Sequence, residues 1–412
     1  MRPASAALAF GQGEGVASPS AAAVPAAGAL TARFLPAAER LDALRPEWQA
    51  LAAKASEPNP FCETWFVAAS VRHLARSPVR IAEIRDGSGL VGLMPLVTES
   101  RYGRVPVKFS QNWRHHHLFL GSPLVRAGQE EAFWRGLLVG LDQQGWAAAF
   151  LHLRDLVEGG PLHRGLKAAA AALGRPAKTV YREERAFLQS SLGADAYYEQ
   201  SVRKKKRKEL ARLRNRLAEM GPLSVRALAD GDDLSAWCDT FLQLEASGWK
   251  GREGTALACR SETETFFREA MAGALGQGRL QFLRMDVGDR PVAMLINFLA
   301  PPGSFSFKTA FDEDFARFSP GVLIQLDNLK ILERPGIAWM DSCAAEQHPM
   351  IDSLWAERRP IIRVTVPLSG ARRRIAYTAA RALEEVSAAR RRLTRGGGAQ
   401  AAGGTDAQEV IG

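Results

Sequence analysis

The sequence predicts an α/β (α+β) fold of two lobes, each a mixed, mostly antiparallel sheet flanked by helices. Three observations lead there. A chain of 412 residues is long for one domain and fits two, each able to bury a core. Period-2 apolar stretches alternate with 3.6-period ones along nearly its whole length. Short turn signals such as DGSG, GDR and PPG join consecutive strand-like segments, which favours hairpins over long crossovers.

Residues 1–30 are Ala/Gly/Pro/Ser-rich without periodicity and read as a disordered tail. Their GQGEG follows no strand, so it has no phosphate-loop meaning. The first lobe spans 31–175. Helices are expected at 41–55 and 63–75, strands at 79–85 and 90–97 joined by DGSG, then a helix at 133–143, a strand at 147–153 and a helix at 161–173. The second lobe, 176–370, opens with a strand at 179–189 and a basic helix from about 203. A strand at 223–228 and helices at 234–245 and 263–275 follow. Three strands at 280–287, 291–299 and 304–310 make a meander. A helix at 320–332 and strands at 337–342 and 363–366 close the lobe. Residues 371–412 hold an Ala/Arg-rich helix, 371–393, and a second disordered tail.

The formal charge of +10 is concentrated. Residues 203–219 carry nine Lys/Arg against two Glu, and 372–395 carry eight Arg against two Glu. These segments, at +7 and +6, exceed the whole-chain charge by three, so the remainder nets −3. That argues against a general nucleic-acid surface. Leu210, Leu213, Leu217 and Met220 form a packing seam on the basic helix, while the block 203–208 projects at a rim. The block is read as a rim attracting phosphates or an acidic polysaccharide, with a plain solvated charge run as the alternative. Four separated cysteines, with no CxxC, give neither a disulfide framework nor a zinc knuckle. No apolar run approaches a membrane span and no secretory leader is evident, so the expected location is cytoplasmic.

The turn FARFSPGVL between a strand and a helix is the most informative stretch. Ser319 suits the N-cap and Pro320 the first helical position, while Gly321 leaves room for close approach. The Gly321 and Val322 amides are then expected to face outward. With Arg317, Phe318 and the helix dipole they would make an anion site for a pyrophosphate. An ordinary well-capped helix is the competing reading. Val322, Leu326 and Leu329 are expected to pack on the sheet.

The segments FLQLEASGWKGREGTAL (241–257), FKTAFDEDFARFSPGVL (307–323) and HPMIDSLWAERR (348–359) resemble the CelD/BcsL-like relatives of the GNAT acyltransferases, named for cellulose biosynthesis. NPFCETWFVAA (59–69) and GLMPLV (92–97) extend the resemblance to the first lobe. It implies tandem GNAT-like lobes similar to the FemAB-type transferases, with acyl-CoA, acetyl-CoA in the first instance, in the second lobe. The segment 317–321 departs from the usual Arg/Gln-x-x-Gly-x-Gly/Ala loop by having one glycine and a proline. The resemblance also implies an oxyanion donor among the backbone amides near 308–311.

Acyl transfer needs a base and an oxyanion donor. Glu245, Asp312 and His348 are the candidate bases. Glu245 leads, because a carboxylate beside Trp249 would have its pKa raised by desolvation. Trp249 is expected to pack or stack, with Lys250 and Arg252 clamping an anionic acceptor or the CoA phosphates. Lys308 is a candidate for an acceptor carboxylate or phosphate. Solvated charges and a buried loop anchor are the competing readings. His115 and His117 have no apparent acidic or Cys partner, so no metal site is assigned. Cys343 and His348 lack an orienting third residue for thiol chemistry. The function expected is acyl transfer from acyl-CoA to a small or sugar-derived amine or hydroxyl, in polysaccharide or envelope biosynthesis. The alternatives are an aminoacyl-tRNA-dependent transferase of the FemAB kind, with tRNA as partner, or a non-catalytic scaffold.

Overall fold

The computed structural model describes residues 30–396. The expected tails lie almost wholly outside them. The first half runs β1 (Thr31–Pro36), α1 (Ala37–Arg40), α2 (Arg45–Ala52), α3 (Thr64–Leu74), β2 (Arg80–Asp86), β3 (Gly89–Glu99), β4 (Phe109–Asn112), β5 (Leu124–Val125), α4 (Glu130–Asp142), β6 (Phe150–Val157) and α5 (Pro161–Ala172). Next come β7 (Lys178–Leu188), α6 (Ala194–Ser201), α7 (Lys204–Ala218), β8 (Leu223–Ala227), α8 (Leu234–Ser247), α9 (Trp249–Arg252) and α10 (Ser261–Gly276). The chain ends with β9 (Leu280–Val287), β10 (Arg290–Ala300), β11 (Gly303–Phe311), α11 (Pro320–Asp327), β12 (Trp339–Asp341), β13 (Glu357–Pro367) and α12 (Ala371–Gly396).

All thirteen strands join one sheet. Its order is β1-β2-β3-β4-β6-β13-β7-β12-β11-β10-β9-β8, with β5 alongside β3. Among the described residues only β4–β6 and β11–β12 pair in parallel, one such pair in each lobe. The expected boundary at 175/176 falls between α5 and β7. The lobes nevertheless interlock, because β13 lies between β6 and β7. Strand alternation divides the core. Met294, Ile296 and Phe298 of β10 join α3, α8 and α10 on one side, while Ala293, Leu295 and Leu299 join α7 and α11 on the other.

Two expectations about helix faces need correction. Met220 is 55% exposed, outside the seam of buried Leu210, Leu213 and Leu217. On α11 the buried residues are Pro320, Gly321, Leu323, Ile324 and Gln325; Leu329, just past its end, is buried as expected, while Val322 and Leu326 are only partly covered where they pack on the same cluster. The stretch VLIQL is apolar nearly all round, so periodicity does not select a face. The polar Gln325 turns inward, where its Nε2 donates to Ser306 Oγ and Thr309 Oγ1, each at 3.2 Å.

Candidate active site

The site is built on a bulge. Between β10 and β11 the register shifts so that Ile296 faces Lys308 and Asn297 faces Ser306, leaving Phe307 unpaired. The extra residue resets the alternation. Lys308 therefore reaches α8, on the side occupied by Phe305 and Phe307. There its Nζ lies 3.8 Å from Glu245 Oε1, which also accepts a 2.9 Å hydrogen bond from Lys250 Nζ. Glu245 Oε2 accepts from the Leu257 amide at 2.8 Å.

These contacts reverse the expected behaviour of Glu245, which is 4% exposed. Burial pushes its carboxyl up, but Lys308, Lys250 and the Leu257 amide outweigh this and hold it below its ordinary value. A carboxylate so engaged is an anchor for two ammonium groups and a poor base. Trp249, expected to supply the desolvation, is 48% exposed. Its segment is the short helix α9 rather than a loop. The Trp249 amide and the Arg252 guanidinium both donate to Glu313, each at 2.6 Å. Arg252 is thereby tied to a carboxylate rather than left open as a clamp. Burial drives the Lys308 ammonium down to about 8; Glu245 opposes the shift and Lys250 adds to it.

Asp312 is committed elsewhere. It accepts from Arg290 and caps the 3₁₀ turn Glu313–Phe318 through the Asp314 amide at 3.0 Å. His348 fits a base better. Burial lowers its pKa, Asp352 opposes this, and Lys250 adds to the lowering, which places His348 within electrostatic reach of Lys250. Its Nδ1 is buried with no hydrogen-bond partner. Sequence reasoning missed His117 as a neighbour of this cluster. Burial, then Lys308, His116 and Lys250, lower it to about 3, and its ring stacks on Phe266 at 5.5 Å. Among the described residues no group of three His, Cys, Asp or Glu is arranged to hold a metal. Burial, then Asp341, push the Cys343 thiol well above its usual range, which leaves it inert at neutral pH.

On the other edge of β11, β11 and β12 pair only at Gly303–Trp339, Ser304–Met340 and Phe305–Asp341, and then part. After Asp341 the chain stays with β7, the Ser342 amide donating to Ala186 O at 3.2 Å. Residues 306–311 therefore have no strand partner on that edge, among the described residues. The helix start nearby differs from expectation. Ser319 has φ +53° and makes no side-chain cap. It closes the 3₁₀ turn through its amide and opens α11 through its carbonyl, so its backbone does both jobs. The Val322 amide donates to that carbonyl at 2.9 Å and is not free. Gly321 is buried, and a Cβ there would lie 2.9 Å from the Met350 methyl and 3.1 Å from the Phe311 ring. Two outward-facing amides are thus not presented at this helix start. Pro320 and Phe318 are buried, while Arg317 is exposed, its guanidinium 4.7 Å from the Phe318 ring centroid. Leu210, Leu213 and Leu217 of α7 share a cluster with Phe315 and Phe318, so the basic helix packs beside this turn.

Residues 204–348 match the family profile described as an acetyltransferase (GNAT) domain. That span holds Glu245, Lys250, Lys308, His348 and the turn at 317–322. The fold is similar to that of FemX (TM-score 0.55, 11% identity, 78% of this chain and 95% of that one). It is also similar to a conserved protein of unknown function from Bacteroides thetaiotaomicron (0.52, 12%, 79% and 97%) and to L-PGS from Bacillus licheniformis (0.50, 10%, 82% and 96%). No curated protein matches the chain by sequence. The profile match over residues 204–348 and the shared fold support a transferase that carries a GNAT-type acetyltransferase domain.

Proposed function

We propose that the chain transfers an acyl group, acetyl in the simplest case, from acyl-CoA to an amine or hydroxyl of a small or sugar-derived acceptor. The observation that carries this is the parting of β11 from β12 beside a buried cluster of ionisable side chains. The open edge at 306–311 offers strand-type hydrogen bonds to an extended thioester arm, and a backbone amide near 308–311 can donate to the oxyanion. His348 takes the proton as the acceptor attacks. The new N–C or O–C bond forms, the C–S bond breaks, and the CoA sulfur leaves as thiolate and is protonated. Lys308 holds an acidic group of the acceptor, and Glu245 holds Lys308. Arg317 and the basic block at 203–208 stand by the turn for the phosphates of the donor; this keeps an anion partner at that turn without the two amides. The link to polysaccharide or envelope biosynthesis rests on the CelD/BcsL-like segments alone.

A second reading, an aminoacyl-tRNA-dependent transferase of the FemAB kind, is favoured by the exposed cations of the same block. The discriminating experiment follows thiol release from acetyl-CoA with a panel of amines and amino sugars. Turnover that falls sharply in His348→Asn supports the proposal. Absence of any release, with salt-sensitive binding of aminoacyl-tRNA, would replace it by the second reading.

A further inference from the structure

The first lobe repeats the parting of strands that marks the second. β4 and β6 pair in parallel only at Ser110–Leu151 and Gln111–His152, then separate. Arg114 follows one arm and Arg154 lies on the other. β13 adds Arg363 from beside them, where its register with β6 breaks between Ile362 and Val364. The three guanidinium groups meet two nearby carboxylates. Asp155 pairs with Arg114, and its Oδ1 lies 3.5 Å from Arg363 Nε. Glu183 is shared with Arg185 and the Tyr181 hydroxyl.

The pairing is incomplete. Arg154 makes no side-chain hydrogen bond or ion pair among the described residues, and its Nε is buried. Arg363 Nε is likewise buried without a hydrogen bond, with Asp155 Oδ1 3.5 Å away, whereas Arg114 is held by Asp155 and donates to Leu118 O at 3.0 Å. Burial, with Arg154, Arg185 and Arg363 adding, brings Arg114 down to about 9; burial and Arg363 bring Arg154 down to about 10. Crowded, half-satisfied cations destabilise a fold unless an anion completes them.

Arg114 also lines a cavity of about 470 Å³ with Glu99, Gln111 and His115 through His117. Glu99 is felt electrostatically by Arg154, and His117 by Lys308 and Lys250. The cavity thus runs from Arg114 of the cluster to His117, and its volume suits a small ligand.

We propose that Arg114, Arg154 and Arg363 form an oxyanion subsite that holds a phosphate or carboxylate of the acceptor while its amine or hydroxyl lies toward Lys308. The orientation toward Lys308 rests on the acyltransfer reading; the subsite itself does not. Guanidinium groups suit both anions, since each presents a planar fork of donors.

Calorimetry on the full chain with inorganic phosphate and with acetate tests this, alongside acetyl-CoA titrated separately. Binding of either anion, weakened about tenfold or more in Arg154→Gln and largely retained in Arg154→Lys, supports the subsite. A preference for phosphate or acetate names the group. Failure of both anions to bind, or equal binding by wild type and Arg154→Gln, overturns it. Thermal melts of both variants confirm that they fold. Acetyl-CoA titrated into Arg154→Gln reports the donor site without the subsite, so absence of binding there would remove the acyltransfer reading and leave the anion result standing.

Discussion

Lys308 illustrates how one inserted residue sets chemistry. Without the bulge at Phe307 its ammonium would point toward Gln325, away from Glu245. With a pKa of about 8 it is charged below that pH and neutral above it. The acceptor KM should therefore rise as pH passes through about 8, and Lys308→Met should flatten the rise while raising KM throughout. Glu245→Gln removes the carboxylate that supports the Lys308 charge, so the same rise should begin at lower pH. His348, with its pKa below the ordinary value, is neutral at neutral pH, as the proposed base has to be. His348→Asn should lower kcat by about 10²–10⁴-fold with little effect on donor binding, measured by steady-state kinetics and calorimetry. Lys308, Glu245 and His348 were legible as candidates from residue type and their place among predicted elements. Their ranking was not, because the direction of the Glu245 shift depends on two lysines brought in by a bulge and a short helix.

Helices and strands differ in how plainly they declare themselves. The meander β9–β11 was readable to within a residue or so, since its strands are apolar and its turns carry Gly and Pro. β4, sequence FSQN, was invisible: it is short and polar, yet wholly buried in mid-sheet. There Asn112 Nδ2 donates to Gly121 O and Arg154 O, so polarity serves the backbone of the seam. At the end of α11 the buried Gln325 and the following Asn328 form a chain, Asn328 Nδ2 donating to Gln325 Oε1 at 3.1 Å and Asn297 Nδ2 to Asn328 Oδ1 at 2.7 Å. Gln325→Leu would strip partners from Ser306, Thr309 and Asn328. It should cost about 1–3 kcal/mol in urea unfolding and perturb the open edge of β11. The basic start of α7 is held by its own seam, since three buried leucines contribute about 1.5–3 kcal/mol each and outweigh the unfavourable helix-end charge. Neutralising Lys204, Lys205 and Lys208 to Gln should leave the melting temperature within about 2 °C and flatten the salt dependence of donor binding.

At the scale of the molecule, two lobes are legible in the order of elements, but their interlocking is not. β13 pairs with β6 on one edge and β7 on the other, and Arg359 of β13 reaches the fully buried Asp341 of β12 at 3.0 Å. No local pattern near 357–367 announces a strand belonging to both lobes. A chain cut at 175/176 would strip β6 of its β13 neighbour. The fragment 176–370 should accordingly be aggregation-prone, and the intact chain should unfold in one transition, with fluorescence and circular dichroism coincident.

The unpaired edge at 306–311 is the proposed seat of the acyl donor. Hydrogen exchange read by mass spectrometry, with and without acetyl-CoA, tests this most directly. Slowed exchange in peptides covering 306–311 and the turn at 313–323 is the predicted result. Binding that leaves those amides unchanged while protecting another part of the sheet would contradict it.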